Sequence, residues 1–440
     1  MSSVFGSKNG TTYATLNTWQ AGTGYDTNSQ NFPTYFINDS TYKVQGDYNL
    51  NNNALPISGI TTDIENTIRN VSTPDIGAYE FNLSNSDAGI GRFINPLDSV
   101  LCNGSNSINL VLRNFGANNL TSATVNWKLN NIIQPPYNWV GTIASGDSVT
   151  INIGTVNLTG GQRNIFTFYT SNPNGATDIS NFNDTLRTNS LKTRLSGIYT
   201  IAGLSPNYLT LKQASDSLQR FGVCGPVTYN IRNGIHKGNF QLYDYQGSSA
   251  INRVTFQSES QDSSLVIISD SSATVYISAN YITFNKLTFK QKGSLSYGSL
   301  AINMGTGVTV SNCVFSNQFV GGGVSTYFQR NYRSMRTQFK NNLFKKGTGH
   351  TSSASSIGTY SNVVIYSNNT FELNAHVSID LVDSLVVSGN TFNRIILTIK
   401  NANNTIAINN NKFYRCSDIT FENWLASSVF SKDFYNNIVD

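Results

Sequence analysis

From about Tyr281 onward, a short strand of alternating apolar and polar residues runs repeatedly into an Asn and then a Phe. The copies are Tyr281–Phe289, Val308–Phe315, Phe339–Phe344, Val363–Phe371, Leu385–Phe392 and Ile406–Phe413. Their closing Phe residues lie 26, 29, 27, 21 and 21 residues apart, and a partial copy, Phe434–Val439, ends 26 residues further on. Such intervals are too short for a domain repeat and match one coil of a solenoid, with the variable length carried by loops. Two positions before each Phe stand Asn342, Asn369, Asn390 and Asn411, with Cys313 in the equivalent earlier place. A side-chain amide both donates and accepts, so stacked Asn residues predict a hydrogen-bonded ladder inside a turn. Asn also tolerates the left-handed backbone of such a turn. The Phe column predicts rings stacked along the core. Together these features predict an all-β fold with a right-handed parallel β-helix over residues ~196–440.

Upstream, Leu211, Ala214, Leu218 and Phe221 share one face of a helix expected over Leu209–Phe221, and Gly222 can end it. A solenoid's first coil needs a cover, and this helix is expected to cap it. Val227–Ile231 and Arg253–Gln257 are expected as the first strands after it. Residues 83–192 alternate differently. Ser107–Leu112, Thr124–Leu129, Ser148–Ile153 and Asn164–Tyr169 read as half-buried strands between turns such as Asn114-Phe-Gly116 and Thr159-Gly-Gly161. They predict an immunoglobulin-like β-sandwich without the Cys…Trp…Cys arrangement of antibody domains. Residues 1–82 are rich in Asn and Tyr and hold few strong strands. Alone they could bury little core.

Composition agrees. Hydrophobic residues make up 39% of the 440 and charged residues 12%, with 25 Phe and 22 Tyr. The net charge of +5 is scattered apart from Arg330, Arg333 and Arg336, which argues against a nucleic-acid partner. Cys102, Cys224, Cys313 and Cys416 lie far apart with no CxxC pair, so the expected state is buried free thiols. No apolar run is long enough for a membrane span, and Met1-Ser-Ser-Val-Phe-Gly6 lacks the features of a signal peptide. The expectation is a monomeric piece of a longer product that is secreted or displayed on the cell surface.

Pro74-Asp-Ile-Gly-Ala-Tyr-Glu80 resembles the closing motif of parallel β-helix domains in large secreted bacterial proteins. Asp26–Ser29, Asn31–Phe36 and Asp63-Ile-Glu…Arg69 fit the same pattern, so residues 1–82 resemble the last coils of a truncated β-helix. Leu110–Gly116, Val125–Trp127 and Asn172…Asp184 make residues 83–192 similar to an adhesion-type module of the CARDB kind. Gly197–Gly203, Gly222–Val227 and Ile231–Gly234 make residues 193–440 resemble a pectin-lyase-like β-helix. The resemblances imply a structural or adhesive role in a secreted or surface protein, with extracellular polysaccharide or a cell-surface glycan as partner.

β-Helices can also be enzymes, so the alternative is a polysaccharide lyase or glycoside hydrolase. Hydrolysis needs two carboxylates roughly 5–9.5 Å apart, and lyase chemistry a cation-binding carboxylate cluster with a base. Nine residues past a column Phe stand Asp380 and Glu422, with Asn401 expected between them and Lys400 beside it. Arg394 and Arg415 each follow a Phe by two. Asp380, Arg394, Lys400, Arg415 and Glu422 therefore form a candidate polar strip for an anionic sugar, or a plain solvated face. No catalytic residue is assigned, and no cofactor is expected. His236, His350 and His376 have no partner at metal-ligand spacing, and Gly321-Gly-Gly323 lacks a phosphate-binding context. Asp178, Asn183 and Asp184 could offer oxygens to Ca²⁺, but forming a turn at a strand end is the commoner role of such residues.

Overall fold

In a computed structural model, residues 4–440 are described apart from 28, 30, 32–35, 37–42, 45–47, 98–100, 182, 271–274, 292–299, 304, 318–328, 333–335, 346–349, 354–362, 373–375, 381–383, 401–404 and 423–431. Gly321–Gly323, Arg333, Asn401 and most of Asn31–Phe36 thus lie outside the described residues. The chain packs as two compact units, one of residues 1–97, 107–156 and 164–191, the other of 98–106, 157–163 and 192–440.

The first unit opens with an antiparallel hairpin, Gly6–Lys8 with Thr11–Tyr13, and helix α1, Leu16–Thr23. Its closing motif is organised by two carboxylates that accept backbone N–H groups. Asp63 accepts from Glu65, Thr67 and Glu80 at 2.7–2.9 Å, and Asp75 from Asn52 and Phe81 at 2.6 Å. Glu80 reaches back to the N–H groups of Asn70 and Asp75 and pairs with Arg69 at 3.5 Å. These bonds explain why Asp75 and Glu80 stand where they do in the motif.

The sandwich has a three-stranded sheet, Ala88–Asn95, Gly104–Asn114 and Ser148–Leu158. Facing it is a five-stranded sheet built around Leu120–Leu129 and Phe166–Ser171. Alternation is strict where one face is buried: Ile108, Leu110 and Leu112 are fully buried between half-exposed neighbours. Phe93 stacks on Phe166 and Phe168 at 5.6 and 5.4 Å. The Asn114-Phe-Gly116 turn rests on buried Asn114, whose amide donates to Asn118 O and Ile143 O and accepts from Gly116 N–H.

The second unit is a right-handed parallel β-helix. Three strands per coil feed a ten-stranded sheet from Leu195–Ile201 to Lys432–Tyr435 and a nine-stranded sheet from Gly234–His236 to Ile438–Val439. The third sheet comes in two four-stranded runs, Gln241–Leu242 to Gln329–Tyr332 and His350–Ser353 to Asp418–Glu422. Helix α2, Leu211–Phe221, caps the first coil with Leu211, Ala214, Leu218 and Phe221 buried. It begins two residues later than expected because Thr210 caps it, accepting from Gln213 N–H at 3.2 Å. Gly222, at φ 70°, ends it.

Between the first and second sheets each coil makes a tight turn, and there the Asn ladder forms. Asn369 Oδ1 accepts both the backbone and side-chain N–H of Asn342, at 2.9 and 3.0 Å. Asn390, Asn411 and Asn437 repeat this for the coil before, all at 2.8–3.0 Å. The second amide hydrogen of each goes to a first-sheet carbonyl, as from Asn390 to Tyr366 O at 3.0 Å. Cys313 contributes only its backbone N–H, to Asn342 Oδ1. One expectation needs correcting: the left-handed backbone belongs to the residue before each ladder Asn. Asn312, Asn341, Asn368, Gly389, Asn410 and Asn436 have φ of 52–68°, whereas the ladder residues do not have positive φ. The two adjacent Asn residues therefore do different work, one bending the chain and one bonding across coils.

Beside the ladder the column rings Phe289, Phe315, Phe344, Phe371, Phe392 and Phe413 stack at centroid spacings of 4.5–5.2 Å. Val439 pairs with Phe413 and takes the Phe place in the last coil. Coil spacing is near the parallel strand spacing of ~4.8 Å, so each ring meets the next at van der Waals distance.

The cysteine expectation is overturned in part. Cys102 and Cys224 form a disulfide, with Cα atoms 6.0 Å apart. Sequence separation hid the pair, because the partners stand 122 positions apart. Segments 98–106 and 157–163 pack with the β-helix start: Arg194 N–H donates to Leu101 O, and Gly161 N–H to Thr193 O. That brings Cys102 to the strand Val223–Ile231. Cys313 and Cys416 are free, and burial pushes the Cys313 thiol up to about 12.

Candidate functional site

The third sheet's last strands, His376–Asp380, Ile396–Lys400 and Asp418–Glu422, carry three of the five strip residues. Their registers pair Asp380 with Lys400 and Lys400 with Glu422. Lys400, and not Asn401, therefore stands between the two acidic positions. The cause is a connection one residue shorter in the middle coil. His376 and Asp418 follow their column Phe by five positions, whereas Ile396 follows Phe392 by four, and these three residues are paired. Val377, Ile379, Leu397 and Ile399 are buried, so Asp380, Lys400 and Glu422 hold the opposite strand parity. The side chains of these three lie outside the described part of the structure.

Arg394 and Arg415 occupy the same place in successive coils, just after the paired residues Asn393 and Tyr414. Both are exposed and in the left-handed region, at φ 54° and 48°. Each backbone N–H donates to the coil below, Arg394 to Tyr414 O at 2.9 Å and Arg415 to Asp440 O at 3.0 Å. The arginines precede the third-sheet strands and the Asp380–Lys400–Glu422 row ends them. The strand Ile396–Lys400, about 13 Å long at ~3.3 Å per residue, therefore lies between the two groups. The five residues form two polar clusters on neighbouring coils, not one.

Of the histidines, His236 Nε2 lies 2.8 Å from Arg232 O. His350 and His376 lie on third-sheet strands one register position apart, since His350 pairs with Val377. Arg330 lies in the strand Gln329–Tyr332, and exposed Arg336 opens the strand Arg336–Lys340.

A second group of titratable residues lies in the sandwich. Asp87 precedes the strand Ala88–Asn95, Asp184 precedes Thr185–Arg187, and Asp178 lies in the connection leading to it. A carboxylate oxygen from each lies within 4.8 Å of the others. Asp87 is fully buried and Asp184 nearly so. Burial first, then repulsion from Asp178, pushes both carboxyls up to about 7. Burial also raises Asp178. Gly89 makes the approach possible, because a Cβ there would sit 2.6 Å from the Asn183 carbonyl oxygen. Of this group the sequence singles out Asp178, Asn183 and Asp184, with turn formation as their commoner role. Asp87 lies 91 residues before Asp178, carries no local motif and is not among the sequence candidates. The available signal was topological: the first strand of such a sandwich and the loop before its last strand can share one end.

Neither the family models nor the curated proteins compared with the chain match it. Among solved structures, a pectin methylesterase from Aspergillus niger is 14% identical, with 56% of this chain and 86% of that one covered at a TM-score of 0.28. The catalytic unit of a GH87 alpha-1,3-glucanase from Streptomyces thermodiastaticus is 11% identical, with 76% and 75% covered at a TM-score of 0.32. Both likenesses are distant, and the fold stands on the strand registers described above. Among the described residues no helix is long and apolar enough to cross a membrane.

Proposed function

We propose that this chain is a structural, non-catalytic part of a large secreted or surface-attached bacterial protein. In this reading the end of one β-helix and an immunoglobulin-like spacer lead into a second β-helix that serves as a rigid stalk and contacts extracellular glycan. The observation that carries it is the ladder from Cys313 to Asn437, which joins consecutive coils through fully bonded amides and leaves little freedom to bend. The Cys102–Cys224 disulfide supports export, because such bonds persist in oxidising compartments. The row Asp380–Lys400–Glu422 and the exposed arginine pair supply charged groups at regular coil spacing for an acidic or hydroxyl-rich polymer.

One observation favours the alternative of a glycoside hydrolase. Asp380 and Glu422 are two strand spacings apart, roughly 9.6 Å at the backbone, near the upper end of the ~6.5–9.5 Å separation of an inverting pair. Affinity electrophoresis against anionic and neutral polysaccharides, with a parallel assay for released sugar ends, separates the two. Retention without product, weakened in the Arg394→Ala/Arg415→Ala double variant, is the expected result. Turnover that disappears in Asp380→Ala or Glu422→Ala would overturn the structural reading.

A further inference from the structure

The geometry points to a calcium site in the sandwich, formed by Asp87, Asp178 and Asp184 with the Asn183 side-chain oxygen as a neutral ligand. The three carboxylates converge within 4.8 Å at one end of the sheets. Acidic residues often cluster without a cation, so the oxygens left over decide the matter. Asp87 Oδ1 accepts from Asn183 Nδ2 at 3.0 Å, but Asp87 Oδ2 and Asn183 Oδ1 are buried and make no well-formed hydrogen bond among the described residues, although the Ser180 hydroxyl lies close to Asp87. Asp87 is fully buried and Asn183 is 6% exposed, so water does not readily replace what is missing. An orphaned buried carboxylate oxygen costs several kcal/mol unless a cation or proton meets it. Among the described residues no ion pair reaches any of the three acids.

The remaining bonds orient the acids and do not neutralise them. Asp178 accepts from the N–H groups of Ala88 and Ser180 at 3.1 and 3.0 Å, and Asp184 Oδ1 accepts from Thr170 Oγ1 at 3.2 Å. The single Thr170 hydroxyl hydrogen is shared between that oxygen and the nearer Ala88 O, at 2.5 Å. The donor set is all oxygen, with neither imidazole nor thiolate, which selects a hard cation over zinc. Three carboxylates and a carbonyl-type oxygen held by the protein suit Ca²⁺, which accepts irregular oxygen cages. Mg²⁺ prefers to keep most of its water. A bound ion would tie the head of the first strand, at Ala88, to the loop before Thr185–Arg187.

The test uses the full chain, freed of metal with a chelator and desalted, then titrated calorimetrically with CaCl2 and separately with MgCl2. We expect one Ca²⁺ per chain with a Kd of about 10⁻⁵–10⁻³ M, the span from sensor sites to extracellular modules. Mg²⁺ should bind at least tenfold more weakly. Asp178→Asn, the most exposed of the three changes, should weaken Ca²⁺ binding at least tenfold. Hydrogen exchange on the wild-type chain locates the ion without any variant. Slowed exchange over residues 84–90 and 176–187 with Ca²⁺ supports the site. No binding by the folded chain, undiminished binding by folded Asp178→Asn, or unchanged exchange in those segments would overturn it.

Discussion

The two units bury polar side chains in opposite ways. In the β-helix, Asn342, Asn369, Asn390 and Asn411 are nearly inaccessible, yet their amides are matched by coil-to-coil bonds. In the sandwich, Asp87 and Asn183 are equally hidden, and each keeps an oxygen with no well-formed hydrogen bond among the described residues. A neutral amide that is fully bonded costs little to bury and fixes the register of its neighbours. A carboxylate left half-bonded is destabilising by itself. The first arrangement is what a scaffold requires, and the second is what a ligand completes.

The largest effect comes from exchanging these states. Asn390→Asp keeps the acceptor that receives both Asn369 N–H groups but loses the donor facing Tyr366 O and Asn411 Oδ1. A carboxylate then faces two acceptor oxygens, and the β-helix should lose about 3–5 kcal/mol at pH 7.5. The pH sign follows from the carboxyl. Its folded pKa lies above the unfolded value of ~3.9, so the penalty is complete above the folded value. It fades as pH falls towards the unfolded value. Urea unfolding at pH 7.5 and 4.5 checks both the size and the sign.

The ladder was legible because it obeys a period: Asn two places before Phe needs only counting. The third-sheet register was legible only in part. A single residue fewer between Phe392 and Ile396 moved Lys400 into the place assigned to Asn401, and loop length is the quantity a repeat specifies least. Asp87 was not legible at all, since nothing within the chain near it marks a site. The Cys102–Cys224 pair was hidden for the same reason, two partners joined by topology and not by spacing. What repeats along the chain can be read from it. What two distant segments make together cannot.

The disulfide gives the next effect in size. Closing a loop of 122 residues restricts the unfolded chain, so Cys224→Ser should cost the β-helix unit about 2–4 kcal/mol. Thermal unfolding followed by hydrogen exchange over 223–231 checks it. Unchanged exchange there would mean that the ladder and the ring stack alone hold the first coils. A smaller change of opposite sign is expected in the sandwich. With chelator present, Asp87→Asn removes a buried charge facing two others and should stabilise that unit by about 1–2 kcal/mol. With several millimolar Ca²⁺ the order should reverse, because only the wild-type chain keeps the full set of ligands. Calorimetric melts of both proteins in both buffers decide it.

The smallest effect tests the division of labour between adjacent turn residues. Lys286 occupies the left-handed position that Asn fills in most later coils, at φ 54°. A long side chain gains nothing there from its own backbone, whereas Asn tolerates this conformation at lower cost. Lys286 also donates to Gln261 Oε1 at 3.0 Å, a bond between exposed side chains that contributes little. Lys286→Asn should therefore raise stability by about 0.5–1 kcal/mol, read as a shift of the urea midpoint at constant slope. Placing the same Asn one residue later, as Leu287→Asn, should destabilise instead. Leu287 is fully buried in the core at the ladder position, and Cys313, the next rung, offers no amide to complete the new Asn. Opposite signs at adjacent positions would establish that the bend and the ladder are separate requirements. A gain at both would show that any Asn in this turn suffices.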